Sequence, residues 1–316
     1  MPIDSPPTYD GLVLEMRRVR LLVELERRKS LAAVAEALHL SPSGISAQIG
    51  RLEREVGATL VARAGRGLRL TEAGHRLAEK GRELLAAMES AESDLRQLSG
   101  EVTGTLRLAA FQSAALLLVP RALACEQSHP GLRVELVQAE PEVAVPALLA
   151  GDFDLVVAEE YPGVQPWIPA ETHREELGVD PLFVVVDEEL TQGRALAVAG
   201  GRIPWVMEVR GSAAREWAEL TCRSLGFEPD VRYESDDLLV HLELIEHGRA
   251  AGLLPALLAA RGTPSLRRTP TGSARMLLTL TRAGSERSPV VRVVRDSLLE
   301  ALRSVDPAPP VPSYPH

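Results

Sequence analysis

Residues 41–51 read SPSGISAQIGR and residues 61–70 read VARAGRGLRL. Ser, Pro and Gly are poor helix formers. A helix that opens with them gives up propensity and gains a face of short side chains that can press into a groove. Ser41, Pro42, Ser43, Ser46 and Ala47 make up that outward face, with Gly50 and Arg51 a turn further on. Serine hydroxyls can meet base edges or phosphates, the Ala47 methyl can touch a thymine methyl, and Arg51 can reach a phosphate or a guanine. The first amides of such a helix also suit a phosphate. The second run is two short β-prone stretches around a Gly65-Arg66-Gly67 tip. It presents Arg63, Arg66 and Arg69 as a basic hairpin that can lie along a phosphate backbone. A plain three-helix bundle is the alternative, and the basic hairpin that follows at once argues against it.

A second set of candidates lies further on. Phe111-Gln112-Ser113-Ala114 sits where a strand gives way to a helix, which exposes free amides and suits an anion. Gly211-Ser212 and Ser235-Asp236 precede two more helix starts. Gln112, Ser113 and Ser212 are the candidate ligand contacts, because two helix starts can face one cleft, and Arg215 can pair with a carboxylate. Taken singly, each Ser is better read as a helix cap. Glu243 and His247 stand four apart and read as a solvated pair rather than metal ligands, with His241 off their face. Cys125 and Cys222 fall on separate predicted helices and read as buried structural thiols. No nucleophile elbow, phosphate loop or paired metal motif is present, so neither an enzyme nor a cofactor is expected.

These residues need a soluble frame. The 316 residues are 45% hydrophobic and 25% charged, enough for two or more domains. The longest apolar runs, such as 114–119, fall far short of a membrane span. The N-terminus has no secretion signal, so a cytoplasmic setting is expected. Net charge is −9, but residues 1–100 carry 15 basic and 14 acidic residues while the remainder carries 20 and 30. Residues 41–82 alone hold 8 basic and 4 acidic residues. The positive field is therefore local to the candidate phosphate-facing stretch, and local potential is what a polyanion meets.

Apolar spacing predicts a helix over about 12–28 and a second after a Ser30 cap, with Leu31, Val34, Ala35 and Leu38 inward. A third starts at Pro42, with Leu40, Ile45, Ile49 and Leu52 locking it. Ala35 is the small residue at the helix contact, and His39 stands in the turn. Thr71 caps a long helix whose positions 77, 81, 84, 88, 91, 95 and 98 alternate gaps of four and three, a heptad seam. Leu77, Leu84, Met88, Ala91, Leu95 and Leu98 are thus expected to pair with a second copy. After Gly100 the pattern alternates strands and helices in two sets, the second beginning near 181. That rhythm implies parallel sheets with helices on their faces, arranged as two α/β lobes around a cleft.

The run AAVAEALHLSPSGISAQIGRLEREVGATLVAR, followed by RLTEAGHRL, resembles the DNA-binding half of LysR-type transcriptional regulators. HPGLRVEL, LLAGDFDLVVAEE and AAGLLP are similar to that family's effector domain. Two departures stand out: Pro42 occupies a place where family members often carry Gln, and Val61-Ala62 replaces a Phe common in the wing. The resemblance implies an α/β multidomain chain with an N-terminal winged helix-turn-helix, a long linker helix and a two-lobed domain like the type 2 periplasmic binding proteins. Expected limits are 1–11 as a disordered lead, 12–70 for the DNA-binding domain and 71–99 for the dimerising helix. The effector-binding domain spans 104–305, lobe 1 taking about 104–176 and 284–305 and lobe 2 about 177–283, with 306–316 as a disordered tail. The implied partners are double-stranded DNA, a small-molecule effector, and a second copy or four copies of the chain, with no membrane. The competing expectation is a cytoplasmic two-lobed binding protein or enzyme whose N-terminal helices serve only assembly.

Overall fold

The computed structural model describes residues 14–38, 40–64, 67–99, 102–165, 168–259 and 266–305. The expected lead at 1–11, the tail at 306–316, His39 and Arg66 lie outside them. The chain divides into two compact units, residues 1–95 and 96–316.

The first unit begins with α1 (Met16–Arg28), α2 (Leu31–Ala37) and α3 (Pro42–Val56). Strands β1 (Val61–Ala64) and β2 (Gly67–Leu70) form an antiparallel hairpin, and α4 (Glu72–Ser99) follows. Val19, Leu22, Leu25, Val34, Ala35, Ile45, Ile49 and Leu52 make its core. Leu40 is the exception to the expected set, standing 38% exposed. α3 opens on Ser41, whose Oγ accepts from the Gly44 amide at 3.1 Å, with Pro42 in the first turn, where no donor is needed. It closes on Gly57 at φ 67°, a left-handed cap that costs glycine little. Thr71 caps α4 as expected, accepting from the Gly74 amide at 3.1 Å.

Gly74 lets α4 approach the preceding chain, because a Cβ there would lie 2.1 Å from the Leu60 carbonyl oxygen. Gly81 packs on α1, where a Cβ would lie 2.5 Å from Val19 Cγ1. Leu77 joins the same core. The first two seam positions are therefore used inside the unit, which corrects the expectation that Leu77 is free to pair with a second copy. Leu84, Met88 and Leu95 are 44%, 45% and 68% exposed, and Ala91 is exposed too. The Leu98 side chain lies outside what the structure describes.

The second unit is built on one eight-stranded sheet. In chain order come β3 (Gly104–Ala110), three short helices α5 (Gln112–Leu117), α6 (Val119–Ala122) and α7 (Cys125–Ser128), then β4 (Leu132–Gln138), α8 (Pro141–Ala150) and β5 (Leu155–Glu160). Next are β6 (Thr172–Asp187), α9 (Glu188–Thr191), α10 (Leu196–Ala199), β7 (Pro204–Met207), α11 (Ala213–Ser224), β8 (Asp230–Glu234) and α12 (Leu238–Glu246). β9 (Ala251–Pro255), α13 (Ala256–Ala259), β10 (Leu266–Arg282) and α14 (Pro289–Ser304) complete it. Strand order is β4-β3-β5-β10-β6-β9-β7-β8.

The expected all-parallel sheets are corrected to a mixed one. β3 runs parallel to β4 and β5, and β7 parallel to β8 and β9, whereas β10 is antiparallel to both β5 and β6. The two lobes are joined through β6 and β10. Leu266–Pro270 pair with Phe183–Asp187 in the second lobe, and Met276–Leu280 pair with Val156–Glu160 in the first. A register break between Pro270 and Ala274 divides the halves. The chain thus re-enters the first lobe inside β10 rather than at 284, and β6 starts at Thr172 rather than near 181. The first lobe packs Leu106, Leu108, Phe111, Val157, Leu277 and Leu298 on one face and Val145, Leu148, Val156 and Leu278 on the other. The second packs Trp205, Trp217 and Val184 on one face and Phe183, Leu242 and Leu254 on the other.

Gly74→Ala is expected to destabilise the first unit by about 1–3 kcal/mol through overpacking. Gly50→Ala, whose Cβ would meet nothing nearer than Arg54 Nη1 at 3.9 Å, should hold or raise stability by up to about 1 kcal/mol. Urea titration followed by far-ultraviolet circular dichroism checks both. Equal midpoints for the two variants would contradict the packing described.

Candidate functional site

Two sites emerge, one in each unit. In the first, Ile45, Ile49 and Leu52 turn into the core, which leaves Ser41, Pro42, Ser43, Gly44, Ser46, Ala47 and Arg51 exposed along one side of α3. The face is held from behind. Arg18 Nε donates to Gln48 Oε1 at 3.0 Å, and Arg18 also pairs with Glu55. Glu53 Oε1 accepts from the Leu60 and Val61 amides at 2.8 and 3.2 Å, which ties the third helix to the start of the hairpin. Arg69 is exposed on β2. Arg63 lies on β1, and its side chain and the whole of Arg66 fall outside the described residues. The arrangement is a helix with a small-residue face beside a basic hairpin, suited to the major groove and its flanking phosphates.

In the second unit a cavity of about 340 Å³ opens between the lobes. That is the size range of a small-molecule site. Gln112, Ser113 and Ser212 line it, as expected. Gln112 also fastens one lobe to the other: its Nε2 donates to Asp237 Oδ1 at 2.5 Å, and its Oε1 accepts the Leu238 amide at 2.6 Å. Ser212 is the cap of α11, its Oγ accepting from the Arg215 amide at 3.1 Å.

Arg215 is the correction among the candidates. It does not line the cavity. Its Nε donates to Glu219 Oε1 at 2.7 Å, and its Nη1 donates to the Glu208 carbonyl at 2.9 Å and to Glu234 at 3.3 Å. With the side chain only 5% exposed, the guanidinium is consumed in tying β7, β8 and α11 together.

The cation in the cavity wall is Arg275, which sequence reasoning passed over. It is 1% exposed. Its Nε and Nη2 donate to Asp180 Oδ2 at 3.1 and 2.7 Å, Nη2 also donates to Ser113 Oγ at 2.7 Å, and Nη1 pairs with Glu159. The guanidinium carbon sits 5.0 Å from the Phe111 ring centre. Burial disfavours its charge, but Glu159 and Asp180 outweigh that and hold it above the ordinary arginine range. The sequence signal was slight: one of four arginines in β10, set just before the apolar run MLLTL.

Acidic groups crowd the same wall: Glu140, Glu142, Glu159, Glu160, Glu208, Glu216 and Asp236. Burial, then repulsion from Glu159, pushes Glu140 up from 4.5 to about 7. Burial likewise pushes Glu208 up to about 7. At the start of α5, the expected anion site, the Gln112 amide faces Glu140 Oε1 at 3.4 Å.

Cys125 and Cys222 are free and buried, and burial pushes the Cys222 thiol up to about 12. Glu243 and His247 are each 71% exposed and 3.7 Å apart. Among the described residues no group of three or more His, Cys, Asp or Glu is placed to hold a metal, and no helix is long and apolar enough to cross a membrane.

Fold and sites together are those of a two-part chain, a helix-turn-helix unit with a hairpin and a two-lobed unit around a cavity. Residues 16–75 match the bacterial regulatory helix-turn-helix protein, lysR family, and residues 99–303 match the LysR substrate binding domain. The HTH-type transcriptional regulator TfdS of Cupriavidus pinatubonensis (strain JMP 134 / LMG 1197) is 30% identical over 289 residues, covering 90% of this chain and 97% of its own length. The RuBisCO operon transcriptional regulator of Allochromatium vinosum is 31% identical over 210 residues, 65% of this chain and 68% of its own. A full-length OxyR from Pseudomonas aeruginosa superposes with a TM-score of 0.62 at 17% identity, over 90% of this chain and 95% of that one. The chain belongs to the LysR-type transcriptional regulators: it is a DNA-binding regulator with an effector-binding domain, not an enzyme. The competing expectation, N-terminal helices that serve only assembly, is set aside by the helix-turn-helix match.

Glu208 carries a pH prediction. A carboxyl that holds its proton more tightly folded than unfolded adds stability that is full below pH 4.5 and lost as pH rises through about 7. His241, held below its ordinary value by burial, acts in the opposite sense over part of that range, so the comparison is with Glu208→Gln. The variant's melting temperature minus that of the wild type should grow between about pH 5 and pH 8. A constant difference across that range would contradict the assignment.

Proposed function

We infer that this regulator binds promoter DNA as a dimer or a tetramer of dimeric halves, each copy inserting the N-terminal half of α3 into a major groove. Ser41, Pro42, Ser43, Ser46 and Ala47 approach the base edges, and Arg51 reaches a guanine or phosphate. Arg63, Arg66 and Arg69 of the hairpin lie against the neighbouring backbone. The observation that carries this reading is the exposed small-residue face of α3 with the basic hairpin beside it, on a helix whose Ile45, Ile49 and Leu52 are spent on the core. Leu84, Met88, Ala91 and Leu95 support self-association, since they repeat on one exposed side of α4. Two half-sites about one helical turn or more apart then match the two copies. The protein works at cytoplasmic DNA.

A small molecule in the cavity acts as effector. Gln112 spans the cleft, so a ligand that reorganises its bonds to Asp237 and Leu238 changes the balance between open and closed lobes. It acts on DNA binding only through a difference in affinity for those arrangements.

Fluorescence anisotropy with DNA from upstream of the gene, against a shuffled control over a salt series, tests the reading. Preferential binding with a steep salt slope is expected. Arg51→Ala should weaken it by about 1–3 kcal/mol if it contacts a base, or lower the salt slope by about one if it contacts a phosphate. Unchanged binding by both Arg51→Ala and Arg69→Ala would contradict the docking. A Leu84→Glu, Met88→Glu double variant should sediment as a smaller species, and an unchanged sedimentation profile would remove α4 as the pairing surface.

A further inference from the structure

The charge balance of the interlobe cavity identifies the class of its ligand. The cavity's cationic donor and several of the amides at its helix starts are already taken by the protein. The Arg275 guanidinium is divided among Asp180, Glu159 and Ser113. The amide at the head of α5 faces Glu140. At the head of α12 the Leu238 amide goes to Gln112, and the Leu239 amide goes to Asp237 Oδ1 at 2.9 Å. The Arg215 amide of α11 goes to its own cap, Ser212.

The acceptors show the opposite. Among the described residues no cation forms an ion pair with the Glu208 carboxylate, which lines the cavity, meets its own main-chain amide and feels Arg275 only through space. The Arg215 contact at this residue is to the carbonyl oxygen instead. Glu140 accepts only the long 3.4 Å bond from Gln112. Arg275 is the lone cationic side chain among the described lining residues, and its charge is more than balanced by the two carboxylates it touches. An anion entering would meet uncompensated like charge, whereas a cation would supply counter-charge to partly buried carboxylates. Val145, Val164, Ile168 and Leu280 add apolar wall. That favours an ammonium on a short carbon body over a bare metal ion, and among the described residues no cluster is placed to hold a metal.

We propose that the cavity takes a small organic cation, an alkylammonium or diammonium compound, with its charge at Glu208 and Glu140 and its carbon body against the apolar wall. This rests on the reading of the cavity as the effector site. Binding offsets the repulsion that Glu159 and Asp236 exert on these carboxylates, so the ligand favours the closed arrangement of the lobes.

The test uses the full chain in isothermal titration calorimetry at fixed ionic strength. The probes are 1,4-diaminobutane, n-butylammonium, lysine and arginine, set against butyrate, succinate and calcium chloride at equal millimolar concentration. Saturable binding of at least one ammonium probe is expected, with none by the carboxylates. At least a tenfold loss is expected in Glu208→Gln and, separately, in Glu140→Gln. No saturable binding by any ammonium probe would overturn the proposal, as would binding unchanged in both variants or a calcium response equal to that of the diamine. The two readings fail differently when each probe is added to the DNA anisotropy assay. A carboxylate that binds and shifts DNA affinity overturns the cation inference and keeps the effector role. An ammonium probe that binds through Glu208 and leaves DNA affinity unchanged keeps the cation inference and removes the effector role.

Discussion

The effector-binding unit is organised around one buried guanidinium. Arg275 stands directly opposite Asp180 in the register of β10 and β6, the two strands that join the lobes. Its other partners come from β5 and α5. Asp180 in turn accepts the Leu257 amide at 3.1 Å, which fixes the start of α13. One side chain thus ties β10 to β6, to the end of β5 and to the start of α5 at the floor of the cleft. A charge so deeply buried is tolerable only with its partners in place, because removing one of them leaves the other uncompensated. The same arrangement decides the character of the cavity: the cation is committed to the protein, and the carboxylates further up the wall are left without one.

The N-terminal unit was largely legible in sequence because its chemistry is local. Ser41, Pro42, Thr71 and the buried spacing of Ile45, Ile49 and Leu52 are rules of neighbouring residues, and each appears in the structure where those rules place it. Leu77 was misplaced because a heptad spacing does not say which partner covers it; Gly81, with no side chain, lets α1 approach that end of α4.

The cleft was less legible for the same physical reason turned round. Gln112 and Ser113 were found because a strand-to-helix junction is visible locally. What meets them is not: Glu140, Asp237 and Arg275 stand 28, 125 and 162 residues away from their partners. Arg215 and Arg275 look alike as letters, and only tertiary placement makes one a structural tie and the other the floor of the cavity. β6 was read short because its first residues, THREE, are charged and partly or fully exposed while the continuous buried run is LFVVV, so apolar patterning captured just the second half.

The central claim is that Arg275 and Asp180 act as one unit in holding the cleft. A double-mutant cycle of Arg275→Met and Asp180→Asn on the unfolding free energy tests it most directly. Tryptophan fluorescence is the suitable probe, because Trp167, Trp205 and Trp217 all belong to the effector-binding unit. Each single variant is predicted to lose about 3–5 kcal/mol, with the double losing far less than the sum. Losses that add to within about 0.5 kcal/mol would show the two residues to be independent and would contradict the account.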